Sequence, residues 1–464
     1  MDIRSVNPAA PSDVVAEIAS TTPDELEKIL DAAVDAQLGW ARTTPSRRAA
    51  VMGAIAAGLA ASSDELVALI VREEGKTVAE ATVEVIKSAE QFTFAAQLAY
   101  MVEGTQFPEE EPGTAAYTLR SPLGVVGAIT PWNFPLSLPA RKLAAALAVG
   151  NAAVFKPSPV VAAAGDRLVR IINDAGMPAG LLGLVQGADP ATMAALAGDP
   201  RLRAVTFTGS DGVGERLAGS LHRFARIQME LGGRNAAVVA ADADLKRAAT
   251  DIAKAAFGQA GQTCTATDRV LVERSVADRL TEMLSARVSE LVVGPGVRPD
   301  VSFGPVATAE QKSRLEAVFA SARHAGCRLL AQGRIAEDVD PDGYWVAPVL
   351  YGDVPADHRL LREEMFGPVL SIVAVDSVAE AVRDINADGH GLVAALHTAS
   401  LTTASRFARD VRCGLVKING RTTGNGVAPP FGGWRASSSG AFPEGGRQAI
   451  DFFTETKTVY STYD

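Results

Sequence analysis

The sequence has few cysteines and no long apolar run, and each scarcity limits what the protein can be. Its 464 residues include three cysteines, a sparse and odd number that excludes a disulfide framework and favours a reducing compartment. No stretch reaches the roughly 18 apolar residues of a membrane span. Pro8 and Pro11 interrupt the N-terminal region where a signal peptide needs an apolar core. We therefore expect a soluble cytoplasmic protein with no membrane partner.

An excess of basic residues is also lacking. Lys and Arg number 44 against 54 Asp and Glu, which gives a net charge of -10. Proteins that bind nucleic acid normally carry net positive charge or a basic stripe, so we expect no nucleic-acid partner. Apolar residues make up 47% and charged residues 21%, which excludes a disordered chain. The length is sufficient for two or three domains.

Short apolar runs alternate with amphipathic stretches, which predicts an α/β fold with parallel sheets covered on both faces. The opening hundred residues are predicted to be mostly helical. Thr22 and Glu25 form a capping box for the first helix, and a long helix over 78–104 carries Val83 and Phe92 on one face. Strands are predicted at 114–119, 125–129, 152–155, 181–185, 204–207 and 227–231, and later at 269–272, 345–351, 369–375, 414–419 and 450–460.

Cys264 lies in the segment GQAGQTCTA (258–266), after a predicted helix. Small neighbours let backbone amides approach the sulfur and a reacting carbonyl, whereas a structural cysteine usually has bulky apolar neighbours. A nucleophilic thiol also needs an electropositive pocket, because its ordinary pKa is about 8.5. Taken alone, the segment suits either a nucleophile or an ordinary cysteine. Cys327 and Cys413 lie in apolar patterns and are interpreted as structural.

Two further polar residues follow predicted strands. Glu230 ends an apolar run before two glycines, where a carboxylate could act as a general base with room for water. An isolated glutamate is more often a helix-capping acid or an ion-pair partner. Asn133 lies between two prolines that fix its backbone, and its amide could donate to an oxyanion. An ordinary asparagine turn is the alternative.

The set of motifs is more specific than any member. In order they are TPWNFP (130–135), FTGS (207–210), ELGG (230–233), GQTC (261–264), EMFGP (364–368) and PFGG (430–433). In these motifs the chain resembles the aldehyde dehydrogenase superfamily, from about residue 7 to the C-terminus. The resemblance implies a Rossmann-like cofactor domain over 1–103 and 123–232 and an α/β catalytic domain over 233–435. Residues 104–122 and 436–464 would form a small β oligomerisation arm and C-terminal strand, and a homodimer or homotetramer is expected.

The resemblance also implies the chemistry. The thiolate of Cys264 would attack the aldehyde, with the oxyanion held by Asn133 and the Cys264 backbone N–H. After hydride transfer to nicotinamide, Glu230 would activate water to hydrolyse the thioester. The presence of Glu230 favours water over coenzyme A as acyl acceptor. An acyl-transferring enzyme and a non-catalytic structural relative are the alternatives, and no metal ion is expected.

Ten residues are implied to bind the dinucleotide: Thr130, Trp132, Lys156, Ser158, Gly209, Ser210, Leu231, Gly232, Glu364 and Phe366. Gly209 and Ser210 would begin a helix whose N-terminus faces the pyrophosphate. Pro159 stands where the family commonly has a glutamate that binds the ribose hydroxyls and repels a 2′-phosphate. NAD or NADP is therefore expected, with NADP favoured.

The substrate is implied less specifically. Arg141 occupies a segment that lines the substrate tunnel in relatives, and a guanidinium can clamp a carboxylate through paired hydrogen bonds. The serines at 437–439 resemble 2-oxoglutarate semialdehyde (2,5-dioxopentanoate) dehydrogenases. We therefore expect a carboxylate-bearing semialdehyde, either 2-oxoglutarate semialdehyde or succinate semialdehyde. An aromatic aldehyde is the alternative, since some aromatic aldehyde dehydrogenases also have Arg there, and so is a solvated Arg141.

Overall fold

The structure is a computed structural model that describes residues 2–463. The helices are α1 (Pro23–Trp40), α2 (Pro45–Ala61), α3 (Ser63–Glu73), α4 (Val78–Leu98), α5 (Ser137–Ala148), α6 (Ala162–Asp174), α7 (Pro190–Gly198), α8 (Asp211–Ser220), α9 (Leu245–Phe257), α10 (Arg274–Glu290), α11 (Ala309–His324), α12 (Arg359–Arg362), α13 (Val378–Ala387), α14 (Leu401–Asp410) and α15 (Ala449–Phe453). The strands are β1 (Ile3–Asn7), β2 (Ala10–Ile18), β3 (Gln106–Phe107), β4 (Thr114–Pro122), β5 (Val125–Ile129), β6 (Ala152–Lys156), β7 (Leu182–Leu184), β8 (Leu202–Thr208), β9 (Arg226–Glu230), β10 (Asn235–Val239), β11 (Thr267–Glu273), β12 (Val292–Val293), β13 (Arg328–Gln332), β14 (Arg334–Ile335), β15 (Val349–Gly352), β16 (Val369–Val375), β17 (Val393–His397), β18 (Leu415–Ile418) and β19 (Thr454–Thr462).

The first large sheet is parallel and has the strand order β7-β6-β5-β8-β9. The chain builds outwards from β5 through β6 to β7 and then returns to place β8 on the other side of β5. Open α/β sheets bind ligands beyond the carboxyl ends of strands where the winding reverses in this way. Thr130 directly follows β5 and Gly209 directly follows β8, so two of the motifs lie at this switch point.

The second large sheet has the order β13-β15-β16-β11-β10-β17-β18, and only the edge strand β13 runs antiparallel to its neighbour. Separate apolar clusters cover its two faces. The sequence patterns missed β10 and β17, both fully buried. Their short runs of alanine and valine lack the alternation that marks a half-buried strand, and such runs are also compatible with a buried helix.

The third sheet is antiparallel, with the order β19-β4-β3. Strand β19 pairs with β4 from Thr454 opposite Pro122 to Thr462 opposite Thr114. One side of β19 is an open edge, and Tyr460 on this strand is 82% exposed. The α/β architecture expected from the motifs is confirmed, while the domain boundaries stay a prediction.

Several sequence predictions need correction. The capping box at Thr22 and Glu25 is present, but an antiparallel hairpin of β1 and β2 precedes it, which the sequence patterns did not predict. Helix α4 ends at Leu98, and its Val83 is 64% exposed although Phe92 is buried. Of the strand predicted at 345–351, only the end forms a strand in the structure, as part of β15 (Val349–Gly352). The segment 449–453 is helical because its bulky apolar residues pack into a cluster with Leu98 and Leu123.

No single helix within residues 2–463 is long and apolar enough to cross a membrane. Helices α2 and α3 together have the length and apolar composition of a membrane span, but the chain bends by 68° between them.

Candidate active site

Two cavities meet at Cys264. One, of about 700 Å³, is lined by residues of α4, α5 and α9 and by the segment 421–431. The other, of about 550 Å³, lies against the loops that follow β5, β6 and β8 and against residues 364–366. Cys264 lines both cavities. The sulfur can therefore contact one reactant from each side, which is the arrangement needed to react with one molecule beside a second.

The loop that presents Cys264 has a strained backbone. Gln259 and Ala260 have φ angles of 53° and 54°, and Gly261 follows with 71°. Left-handed residues other than glycine cost about 1–3 kcal/mol each and persist where the surroundings fix them. Here the carboxylate of Glu80 accepts a 2.7 Å hydrogen bond from the backbone N–H of Gln259. A side chain on Gly261 would overlap the carbonyl of Gly367, which explains why glycine is needed there.

Asn133 is 2% exposed and lines the same cavity as Cys264. Its Nδ2 donates one hydrogen bond of 2.9 Å to the carbonyl of Gln262, which leaves the second N–H of the amide for another acceptor. Lys76 fixes the Asn133 backbone, because its buried Nζ donates to the Asn133 carbonyl at 2.6 Å and to Glu84 at 2.5 Å. The geometry is suitable for a preorganised oxyanion donor.

Glu230 ends β9 and is 2% exposed. Its Oε2 accepts from the backbone N–H of Gly433 at 3.0 Å, and its Oε1 accepts from the hydroxyl of Ser438 at 3.1 Å. Glu230 is not among the described residues that line the two cavities. The structure therefore brings Asn133 and Cys264 to one cavity, while the Glu230 carboxylate is turned towards residues 433–438.

The three serines at 437–439 all support this region. Ser438 holds Glu230 directly, and Ser439 Oγ accepts from the backbone N–H of Met229 at 3.1 Å. Ser437 Oγ accepts from the N–H of Gly391, just before β17, at 3.0 Å. In the sequence, the three serines were noted only because they resemble those of related dehydrogenases. In the structure, Ser438 and Ser439 hold the end of β9 through Glu230 and Met229.

A buried ion pair lies behind Glu230. The Nζ of Lys142 donates to Oε1 of Glu444 and, at 3.0 Å, to the hydroxyl of Thr206. Burial raises the pKa of Glu230 well above its ordinary value, and the nearby Glu444 carboxylate adds to the increase. A carboxylate with a raised pKa is a stronger base than a solvated one, which suits general-base chemistry near neutral pH.

The thiol of Cys264 also has a shifted pKa. Burial raises the pKa to about 12, the Glu364 carboxylate adds to this, and Arg141 acts in the opposite direction. The sulfur is thus almost wholly protonated near neutral pH in this state. A nucleophilic attack requires a base or additional positive charge close to the sulfur.

All ten residues predicted to bind the dinucleotide line the smaller cavity: Thr130, Trp132, Lys156, Ser158, Gly209, Ser210, Leu231, Gly232, Glu364 and Phe366. Lys156 ends β6, and its buried Nζ donates to the carbonyl of Gly187 at 2.8 Å. Burial lowers its pKa to about 8. Ser210 occupies the N-cap of α8 without capping it through its side chain, so its hydroxyl and the first-turn N–H groups can bind a phosphate.

The segment 364–366 closes the opposite wall. Glu364 Oε1 accepts from the N–H of Gly233 at 3.1 Å, and burial raises the pKa of Glu364 to about 8. Phe366 has a φ angle of 50° and packs edge-on against Trp132, with ring centroids 5.5 Å apart. Gln311 of α11 holds the strained residue by donating to the Phe366 carbonyl at 2.7 Å.

Two glycines of this cavity are closely packed by neighbouring side chains. A Cβ on Gly232 would lie 2.7 Å from Oε2 of Glu364, and one on Gly209 would overlap the Phe207 ring. Both positions require a bare backbone, and both line the cavity. Close approach of backbone to a ligand is a common reason for such glycines.

The larger cavity contains two cationic side chains close to Cys264. Arg141 of α5 lies over the ring of Phe431, with its Cζ 4.6 Å from the ring centroid. Its Nη1 lies 3.7 Å from Oε2 of Glu444. Lys87 of α4 lines the same cavity, and its Nζ donates to the carbonyl of Asn425. Burial and the Arg141 charge lower the pKa of Lys87. The sequence patterns singled out Arg141 but missed Lys87, since a lysine on an amphipathic helix gives no signal of its own.

Comparison with known proteins agrees with the motifs. Residues 1–459 match the aldehyde dehydrogenase family, and the chain belongs to that family. It is therefore an NAD(P)-dependent oxidoreductase acting on aldehydes.

Similar proteins have more specific names. A 2,5-dioxopentanoate dehydrogenase of Saccharolobus solfataricus is 36% identical over 98% of this chain and 95% of its own length. An alpha-ketoglutarate semialdehyde dehydrogenase of Haloferax volcanii is 37% identical over 98% of this chain and 95% of its own length. Among solved structures, an NADP dependent enzyme of E. coli superimposes with a TM-score of 0.95 at 30% identity, covering 100% of this chain and 95% of the other.

Proposed function

We propose that the protein oxidises a semialdehyde carrying a carboxylate to the corresponding dicarboxylic acid, with Cys264 as nucleophile. Two relatives are named for such substrates, 2,5-dioxopentanoate and alpha-ketoglutarate semialdehyde. The observation that carries the proposal is the placement of Arg141 and Lys87 in the same cavity as Cys264. An α-keto acid group bound to these cations would leave its distal aldehyde directed towards the sulfur.

The chemistry follows from the residues at the junction of the cavities. The thiol proton of Cys264 passes to solvent and the sulfur bonds to the aldehyde carbon, while the Asn133 amide and the Cys264 N–H stabilise the oxyanion. The residues of the smaller cavity would hold NAD(P), which would supply the hydride acceptor for that carbon. A thioester to Cys264 remains. Glu230 then takes a proton from water, whose oxygen attacks the thioester carbon and releases the acid and the thiol.

We propose NADP as the preferred cofactor. Lys156, Ser158, Pro159 and Arg216 all line the smaller cavity, so these residues offer it two cations and a hydroxyl, and the carboxylate of Asp189 lines it as well. A 2′-phosphate would find donors there, and no carboxylate stands at position 159 to repel it. Lys and Arg are the side chains that bind phosphate through charge-assisted hydrogen bonds.

A panel of aldehydes assayed with both cofactors tests the proposal. It includes 2-oxoglutarate semialdehyde, succinate semialdehyde, benzaldehyde and a medium-chain alkanal, with NAD(P)H formation measured without coenzyme A or phosphate. We expect the largest kcat/KM for a semialdehyde with NADP. A larger value for benzaldehyde would favour the aromatic alternative, which the paired cations disfavour. A requirement for coenzyme A or phosphate would contradict the hydrolytic role of Glu230.

We also propose that the third sheet, formed by β3, β4 and β19, joins copies of the chain into a homodimer or homotetramer in the cytoplasm. The open edge of β19 can pair with another strand. Light scattering after size exclusion would contradict this by showing a monomer.

A further inference from the structure

An ion-pair network lies directly behind the cofactor cavity. His390, in the segment between α13 and β17, places Nε2 2.9 Å from Oδ2 of Asp211 and Nδ1 3.3 Å from Oδ1 of Asp388. Asp211 begins α8, immediately after Ser210. Its other oxygen accepts from the backbone N–H of Gly232 at 3.1 Å. His390 and Asp211 are not among the described residues that line the smaller cavity. Any effect that they have on a bound cofactor must therefore pass through Ser210 and Gly232.

The network joins the two large domains. Asp211 and Gly232 flank the first sheet, whereas His390 and Asp388 belong to the second. Arg234 contacts the remaining oxygen of Asp388 at 2.9 Å, with Arg269 3.3 Å from it. Arg435 donates to the carbonyl of His390. The position of His390 is thus fixed from the catalytic side, and its ring holds the start of α8 through Asp211.

The charge of Asp211 poses a specific problem at this place. The first turn of α8 is the proposed pyrophosphate site, where the helix dipole favours an anion. An uncompensated carboxylate in the same turn would repel that anion. Protonated His390 between two carboxylates cancels this repulsion, and the bond from Asp211 to Gly232 keeps the adjacent wall in place.

We propose that His390 is a positioning residue for the dinucleotide, which neutralises Asp211 and couples cofactor affinity to the protonation of its own imidazole. This inference rests on the proposed placement of NAD(P) in the smaller cavity. The hydrogen bonds to Asp211 and Asp388 raise the pKa of His390 to about 9. The imidazolium is therefore present near neutral pH and is lost as the pH rises through about 9, which predicts weaker cofactor binding in alkaline solution.

Other groups near the network titrate as well. Glu364, whose carboxylate lies close to both Gly232 and Asp211, and Lys156 both have a pKa shifted to about 8. Loss of a proton from either would also weaken binding of an anionic cofactor. Removal of His390 should abolish the step near 9. Because the His390 charge also lowers the pKa of Glu364, the step near 8 should move to higher pH in the same variant rather than disappear.

Fluorescence titration with NADPH and with NADH across this pH range tests the inference. Near neutral pH we expect H390Q to weaken binding about tenfold, since an unpaired charge next to a ligand charge is worth roughly 1–2 kcal/mol. We expect the double variant D211N/H390Q to restore most of the affinity, because asparagine keeps the acceptor for Gly232 without the charge. The exposed His324, replaced in H324Q, is the matched control and should bind as the wild type does.

The outcomes separate the inference from its premise. If K156M binds NADPH as tightly as the wild type, the dinucleotide does not occupy this cavity and the placement is wrong. If K156M weakens binding but H390Q does not, the role of His390 is overturned. A double variant no better than H390Q would also overturn it, because a purely structural histidine would not be rescued by removing the carboxylate.

Discussion

The two cavities that meet at Cys264 are built in different ways. The proposed cofactor side is formed largely by short loops that follow parallel strands, and half of its lining residues belong to contiguous motifs such as FTGS and EMFGP. The substrate side consists of side chains from separate helices, such as Lys87 of α4 and Arg141 of α5. The cofactor side therefore depends on backbone geometry, whereas the substrate side depends on which side chains the helices present. This difference explains why motifs indicate the class of reaction but not the aldehyde.

The largest expected effect lies at the junction itself. Replacement of Cys264 by serine should reduce NAD(P)H formation at least about 10³-fold, because the hydroxyl is a far weaker nucleophile in this pocket. NADPH binding should persist, since the cofactor wall is unchanged. The buried Cys327, replaced in C327S, lines neither described cavity and provides the control. Substantial turnover by C264S would show that the two cavities do not share one reactive sulfur.

Replacement of Glu230 by glutamine should separate the two halves of the reaction. Glutamine can still accept from Gly433 but cannot take a proton from water, so hydrolysis should fall about 10²–10³-fold. We expect a rapid burst of NAD(P)H, close to one per active site, followed by slow turnover.

The pH dependence has a definite sign. The pKa of Glu230 is raised, so the wild-type steady-state rate should fall as the pH drops below that pKa and the carboxylate becomes protonated. E230Q should lack this acidic limb. Stopped-flow absorbance at several pH values would measure both features, and a burst missing from E230Q would assign Glu230 to an earlier step.

The contrast between the cavities also marks how far sequence reasoning reached. The fold class and the strands at the switch point followed from local patterns and motifs, and the family resemblance indicated ten residues that line the smaller cavity. Lys87, His390 and Glu444 did not, because each becomes relevant only through contacts with residues far away in the chain. The position of the Glu230 carboxylate was equally inaccessible, since it depends on Gly433 and Ser438, some two hundred residues further on.

On the substrate side, replacement of Arg141 by alanine should raise KM for 2-oxoglutarate semialdehyde about 10- to 100-fold, the value of a charge-assisted hydrogen-bond pair. The KM for a medium-chain alkanal should change little, because that substrate has no carboxylate. Arg141 also lies near Glu444, so kcat with the alkanal serves as the internal control. K87M should show the same selectivity with a smaller effect. Equal losses for both aldehydes would mean that Arg141 supports the active site rather than recognising the carboxylate.

The smallest expected effect lies on the cofactor side, at Pro159. This residue begins a short 3₁₀ turn capped by Ser158, whose Oγ accepts from the N–H of Val160 at 3.3 Å, so the turn should tolerate replacement. P159E would place a carboxylate between Lys156 and the expected 2′-phosphate, and should shift kcat/KM towards NAD by about five- to tenfold through repulsion of roughly 1 kcal/mol. P159Q matches the size of glutamate without its charge, and comparison of the two separates electrostatics from shape. An equal shift in both variants would assign cofactor choice to the backbone of the turn, and the cofactor side would then depend on geometry alone.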